Sequence, residues 1–475
     1  MPSQTLPADP WAPRAEAEVL LRTGRWGLTP EEAAPLGGLM ETPGQYFVHN
    51  PTTGRYYSKY GPLNTLLSIP PILLTGAHAA PTPPRRLLVA LNLYNAGATA
   101  LLAVLLFLLA RRFAPTGVAV LWALAALYSG FLWFYARAQS AEVWHVLFYT
   151  AAVLALFRAR EEWDRHPRAP LVWLALATCA VGALFLLRFT YGPLFLWLIA
   201  GVGLLSRGRD LRRAGVAVAI PLGIAFVVWV ASNEVKFGRP FTTGYGLWMA
   251  GGQPHDRLDV TVFPRAVAGF LFSPQRSVFW HYPLLLIALV GGADFYRRHR
   301  KEATLVGSAA LGYFLVLSLT TNWESHAAYG PRYLLPFLPA VSLPALVLWV
   351  RRDFIGRGAR AAAAILLAGS FWLQTEVNAL PFFLPYRLAG PFAQYGDARI
   401  DRYFAHRPYA LIDRDVRRFV EGRAVFPPLE RLKEARGEDG AGETAFVAGR
   451  VRALAERNYF FGSQRGADSS LGESR

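Results

Sequence analysis

Five polar stretches hold the side chains with chemistry to offer. The first, ADPWAPRAEAEVLLRTGRWGL, carries Asp9 immediately before Pro10, ahead of a predicted helix over Ala12–Thr23. A carboxylate there either caps the helix or points away from it toward a substrate, and both readings stand. The second, GRYYSKYGP, sets Tyr57, Lys59 and Tyr60 just before an apolar segment. A cation at a membrane–water boundary can meet a lipid phosphate, or simply snorkel among belt tyrosines. The third groups Ser140, Glu142 and His145; an acid at the end of a span needs a partner, and Arg137 is the nearest cation in sequence. The fourth joins FGRPFTTGYG to FSPQRSVFWHYP, with Arg239, Arg276 and His281. The fifth, NWESHAAYGPRYLLP, packs Trp323, Glu324, His326, Tyr329 and Arg332 into one short loop, where a Glu324–Arg332 pair is the bland alternative. No HExxH, CxxC, P-loop or GxSxG motif occurs, which withdraws support from zinc protease, redox, nucleotide-triphosphatase and α/β-hydrolase chemistry.

The elements that must position these residues are membrane helices. The chain has 475 residues, of which 53% are hydrophobic and 17% charged. Long uncharged runs predict ten spans, at 87–110, 115–136, 138–157, 169–187, 189–206, 214–233, 277–293, 303–323, 334–350 and 361–378. The fold class is all-α, a polytopic helical bundle. A formal charge of +17 does not imply nucleic acid, because the arginines cluster in short loops beside apolar runs. Loops 111–114, 158–168, 207–213, 297–301 and 351–360 are rich in Arg, whereas Arg137, Arg188 and Arg332 stand one to a loop. Positive charge on the cytoplasmic side then puts all five polar stretches outside. Three regions follow: an outer loop with interfacial helices over 1–86, a transmembrane domain over 87–378 and an extracytoplasmic tail over 379–475. Segment 62–80 is apolar but interrupted by Pro70 and Pro71, so it reads as an interfacial or kinked helix. Segment 428–457 predicts one or two amphipathic helices. The single Cys179 excludes an intrachain disulfide. Only four lysines occur, Lys59, Lys236, Lys301 and Lys433, so a lysine at a given place is informative where arginine is the default cation.

Taken in order, Asp9 through Gly24, GRYYSKYGP, FSPQRSVFWHYP and YGPRYLLPFLP resemble the bacterial GT-C membrane glycosyltransferases. The nearest likeness is to the glycosyltransferase family 39-like or RgtA/B/C/D-like group, related to the protein O-mannosyltransferases and the lipid A aminoarabinose transferases. The resemblance implies a multi-pass protein of the bacterial inner membrane with its active site on the extracytoplasmic side. It implies transfer of a sugar from a polyprenyl-phosphate donor to a lipid, glycan or protein hydroxyl, with inversion, no cofactor and no required metal. A carboxylate acts as general base. Asp9 fits the family's acid by standing fifteen residues before Gly24, but Pro10 replaces the second acid of the family's pair, so Glu16 and Glu18 are alternatives. Lys59 takes the place of the family's phosphate-contacting base, with Arg276 and Arg332 as further donor-phosphate candidates. Tyr57, Tyr60, Glu142, His281, Glu324 and His326 are expected around the substrate. A first helix precedes the head loop in that family, so the natural start is expected upstream of Met1.

Two other classes compete. A transporter or flippase of lipid-linked sugars predicts ionisable residues at midplane and paired, interrupted helices, whereas the spans are nearly uncharged at their centres. A polysaccharide polymerase or ligase would gather its arginines and acid in a large late outer loop rather than in the head.

Overall fold

The computed structural model describes residues 8–34, 47–76, 85–137, 141–163, 169–205, 211–250, 257–274, 276–323, 329–351, 356–379, 409–437 and 440–458, with isolated positions between 388 and 404. The head comprises α1 (Ala8–Thr23), α2 (Pro30–Ala33), an antiparallel hairpin of β1 (Phe47–Asn50) and β2 (Arg55–Ser58), and α3 (Pro62–Thr75). The hairpin is a local departure from the expected all-α class. The bundle follows as α4 (Arg85–Ala110), α5 (Thr116–Tyr128), α6 (Leu132–Arg137), α7 (Glu142–Glu162), α8 (Ala169–Leu187), α9 (Leu194–Leu205) and α10 (Leu211–Phe237). Beyond it lie α11 (Gly244–Ala250), α12 (Phe263–Phe272), α13 (Val278–His281), α14 (Leu284–Arg298), α15 (Arg300–Ser318), α16 (Leu338–Val341), α17 (Val347–Val350) and α18 (Arg357–Ala379).

Among the described residues, four helices have the length and hydropathy to cross a membrane: Val89–Ala110 in α4, then α7, α8 and α10. Of the other expected spans, α15 and α18 are long enough at 19 and 23 residues but not apolar enough, and the rest are shorter or broken. Segment 115–136 divides into α5 and α6. Segment 334–350 breaks into α16, α17 and 3₁₀ turns, because Pro336, Pro339 and Pro344 each remove an amide donor. Burial orders the bundle. In its most apolar window α7 is 72% buried, against 17% for α10, so α7 is central and α10 is an outer helix. Ile220, Ile224, Val227 and Val235 of α10 are left exposed, an apolar face that suits lipid.

The head is packed, not draped. Ala12, Ala15 and Val19 of α1 bury against Leu28, Ala33 and Phe47, while Ala17 meets Ile72 of α3 and Leu87 and Leu91 of α4. Small side chains on two faces let α1 lie close to both layers. Helix α1 starts at Ala8, ahead of the expected Ala12, with Asp9 and Pro10 in its first turn. Helix α3 runs through both prolines for 14 residues and ends on Gly76 in the left-handed conformation. The tail segment 428–457 forms two helices, Pro427–Arg436 and Ala441–Asn458. With Ile412, Val416, Phe426, Leu429 and Val451 fully or nearly buried, the tail builds a core of its own.

Candidate active site

Helices α8 and α10 both finish at the end of the bundle where α3 begins. There they line a small, partly open cavity together with the β2–α3 turn and the segment leading into α11. Lys59, Tyr60, Arg188, Lys236 and Tyr245 are in its wall, beside Phe185, Trp229 and Asn233. Two close approaches fix that geometry. A Cβ on Gly61 would stand 2.1 Å from the Leu186 carbonyl oxygen, so only glycine lets the turn rest on the end of α8. Asn64 Nδ2 then donates to the Leu187 carbonyl at 2.7 Å, one of the carbonyls that α8 leaves unpaired. On the far side, Gly244 abuts the Lys59 backbone, where a Cβ would lie 2.6 Å from Lys59 Cα.

The cations share aromatic rings. The Tyr245 ring lies 5.4 Å from Lys59 Nζ and 5.7 Å from Arg188 Cζ. Arg188 also stacks over Tyr333 at 4.4 Å, and Arg332 faces the same ring at 5.1 Å. Each contact favours a cation by the ring quadrupole without neutralising it. Arg188 makes no ion pair among the described residues. Arg332 Nη1 lies 3.9 Å from Glu142 Oε1. Among the described residues Glu142 thus meets Arg332, from far along the chain; the expected Arg137 has its side chain outside the described residues.

The structure therefore brings together Lys59, Tyr60, Arg332 and Glu142 of the expected residues, with Tyr333 linking the last two to the cavity. It keeps others apart. Tyr57 is 1% exposed and serves the hairpin, donating to Thr53 Oγ1 at 3.2 Å and meeting Phe237 edge-on. Arg276 and His281 are buried at α12–α13 and do not line this cavity. His281 packs edge-on against Phe131 and Tyr329. Glu324 and His326 lie outside the described residues, as does the Asp9 side chain.

The two glutamates of α1 have different surroundings. Glu16 is fully buried and bonded on both oxygens: Oε2 accepts from Lys236 Nζ at 2.9 Å and Thr65 Oγ1 at 2.6 Å, and Oε1 from the Ser58 amide at 3.3 Å. Glu18 is buried near Arg22 and Glu32. Burial pushes its carboxyl up to about 7, with Arg22 opposing the shift and Glu32 adding to it. A carboxyl with that pKa is matched to proton transfer near neutrality.

Sequence reasoning alone does not select Arg188 or Lys236 for chemistry. Lys236 carries a signal, as one of four lysines; Arg188 carries only the weaker one of standing alone in a short loop.

No protein-family model matches the chain, and no curated protein matches it in sequence. Solved structures do. The oligosaccharyltransferase of Archaeoglobus fulgidus, in its apo form, superposes at a TM-score of 0.52 with 14% identity, over 86% of this chain and 57% of that one. The same enzyme in complex with zinc and sulfate gives 0.51 with 15% identity, over 84% and 53%. ArnT from Cupriavidus metallidurans, bound to undecaprenyl phosphate, gives 0.48 with 15% identity, over 96% and 74%. The chain spans little more than half the length of the archaeal enzyme. The agreement is one of fold alone: this is a helical, polytopic membrane protein whose fold resembles that of the archaeal oligosaccharyltransferase.

Proposed function

We propose that the chain is a membrane glycosyltransferase that moves a sugar from a polyprenyl-phosphate donor to an acceptor hydroxyl on the extracytoplasmic side. The observation that carries this reading is the cavity in which Lys59 and Arg188 share the Tyr245 ring at one end of a GT-C-like bundle. A phosphate between them would receive charge-assisted hydrogen bonds from both, and its polyprenyl chain would leave along the apolar flank of the bundle. Arginine loops at the opposite helix ends favour the outer side for this cavity.

The reaction is a single displacement with inversion. A carboxylate of the head takes the acceptor proton as the oxygen attacks the anomeric carbon. The bond to the phosphate oxygen breaks, and Lys59 and Arg188 stabilise the charge left on the lipid phosphate. Asp9, in the first turn of α1, is the proposed base, and Glu18 is the alternative by virtue of its raised pKa. Arg332 is placed one ring further from the phosphate and serves the sugar or acceptor side.

Transfer assays in membranes test the reading. Asp9→Asn should lower kcat by about 10²–10⁴-fold while donor binding is retained. Lys59→Ala and Arg188→Ala should each weaken donor binding by roughly 10- to 100-fold, the worth of about 1.5–3 kcal/mol for hydrogen bonds to a charged group. Wild-type donor affinity in both cation variants would remove the phosphate from this cavity. Full activity of Asp9→Asn with loss in Glu18→Gln would move the base within α1.

A further inference from the structure

Ser58, the residue before Lys59, is fully buried, and both of its backbone groups are held by one ion pair. Its amide donates to Glu16 Oε1 at 3.3 Å, and its carbonyl accepts from Lys236 Nζ at 3.4 Å. Glu16 and Lys236 are themselves joined at 2.9 Å with 0% and 2% side-chain exposure. The pair has further support. Thr65 Oγ1 of α3 donates to Glu16, the Lys236 ammonium lies 5.3 Å from the Trp26 ring, and Asn50 Nδ2 of β1 donates to the Lys236 carbonyl at 3.0 Å. Elements α1, β1, β2, α3 and α10 thus meet at a single buried pair beside the cavity.

Burying two charges costs desolvation that is offset only where geometry and extra hydrogen bonds are good, and an apolar pair of equal volume would often be as stable. The pair clamps Ser58, the last paired residue of the β1–β2 ladder among the described residues, which leads into Lys59. Glu16 is not in the cavity wall, and both its oxygens are taken.

We propose that Glu16 and Lys236 are a positioning pair, which fixes the Ser58–Lys59 backbone so that Lys59 faces the cavity, and that Glu16 acts through Lys59 rather than as the base. The functional part of this inference rests on the donor-site reading above.

The four lysines allow a test that needs no donor. Amine acylation of the folded, monodisperse protein, read peptide by peptide by mass spectrometry, compares Lys59 with the exposed Lys433. Lys59 is 8% exposed in the native chain and should label slowly. In Glu16→Gln its labelling relative to Lys433 should rise by about fivefold or more, as the clamped turn opens locally. Glu16→Gln leaves a buried ammonium unpaired and can fail to fold. The double variant Glu16→Met with Lys236→Met carries no such charge, should fold, and should show the same rise at Lys59. In transfer assays both variants should raise KM for a polyprenyl-phosphate donor about tenfold, with kcat within about threefold of wild type and the acidic limb of the pH profile retained. Native protection of Lys59 in the double variant overturns the proposal. So does a hundredfold fall in kcat with unchanged KM and loss of the acidic limb, which would make Glu16 the base. A wild-type chain that binds no undecaprenyl phosphate would defeat the donor reading, while the labelling would still decide whether the pair holds Lys59.

Discussion

Two acids only two positions apart on α1 are committed to opposite ends by their neighbours. Glu16 is tied to an ammonium, a hydroxyl and an amide, whereas Glu18 is buried where its carboxyl is pushed up to about 7. That shift has a consequence for stability. The folded value lies above the ordinary 4.5, so the folded chain holds the proton more tightly than the unfolded chain. The contribution is complete below about 4.5 and is lost as pH rises through about 7. Glu18→Gln is neutral throughout, so its thermal unfolding in detergent should decline less over that interval than the wild type's. Parallel curves for the two proteins would show that Glu18 does not couple to folding. Sequence made Lys59 visible by its rarity and its place before an apolar run. Lys236 had the same rarity, but its partner Glu16 is 220 positions away, and nothing local in either segment connects them. Glu142 is a similar case: Arg137 is its nearest cation in sequence, while packing brings up Arg332 from 190 positions away.

The elements that shape the cavity meet through backbone contacts, and this is where substitutions should be most damaging. Gly61 rests on the end of α8 with no room for a methyl group, so Gly61→Ala must separate α3 from α8 or distort the turn. Overpacking of this kind costs about 1–3 kcal/mol, and here it would also displace Lys59. A methyl group added at Gly97 in α4 would meet nothing within 4 Å, so Gly97→Ala makes a matched control that should be neutral or stabilising. Unfolding midpoints and donor affinity measured on both variants would check the contrast; equal effects would mean that Gly61 is not a packing point. The long apolar helices were legible from hydropathy alone, as α4, α7, α8 and α10 show. The β1–β2 hairpin was not, because its four-residue strands, FVHN and RYYS, are too short to display alternation above background. The breakage of 334–350 was legible in principle from its prolines, but high hydropathy outweighed them in reading a span.

At the scale of the whole molecule, arginine distribution predicts which way the bundle faces. Reporter fusions within 158–168 should report the cytoplasm, and fusions within 234–276 the opposite side, since the C-terminal ends of α8 and α10 that line the cavity lie away from the Arg-rich loops. A cytoplasmic signal from 234–276 would remove the cavity from the outer face and the proposed reaction with it. The position of α10 carries a mechanical consequence. Its apolar stretch, 214–233, is about 30 Å long, close to the hydrocarbon core, and among the four long apolar helices it is the least enclosed by its neighbours. A bilayer thinner than that stretch is accommodated by tilt. Because Lys236 stands in the last turn of α10 and grips the backbone before Lys59, a change in tilt is delivered to the phosphate-facing lysine as a displacement. Donor affinity in bilayers of graded acyl-chain length should therefore pass through an optimum thickness, and severing the grip with the double Met variant should flatten that dependence.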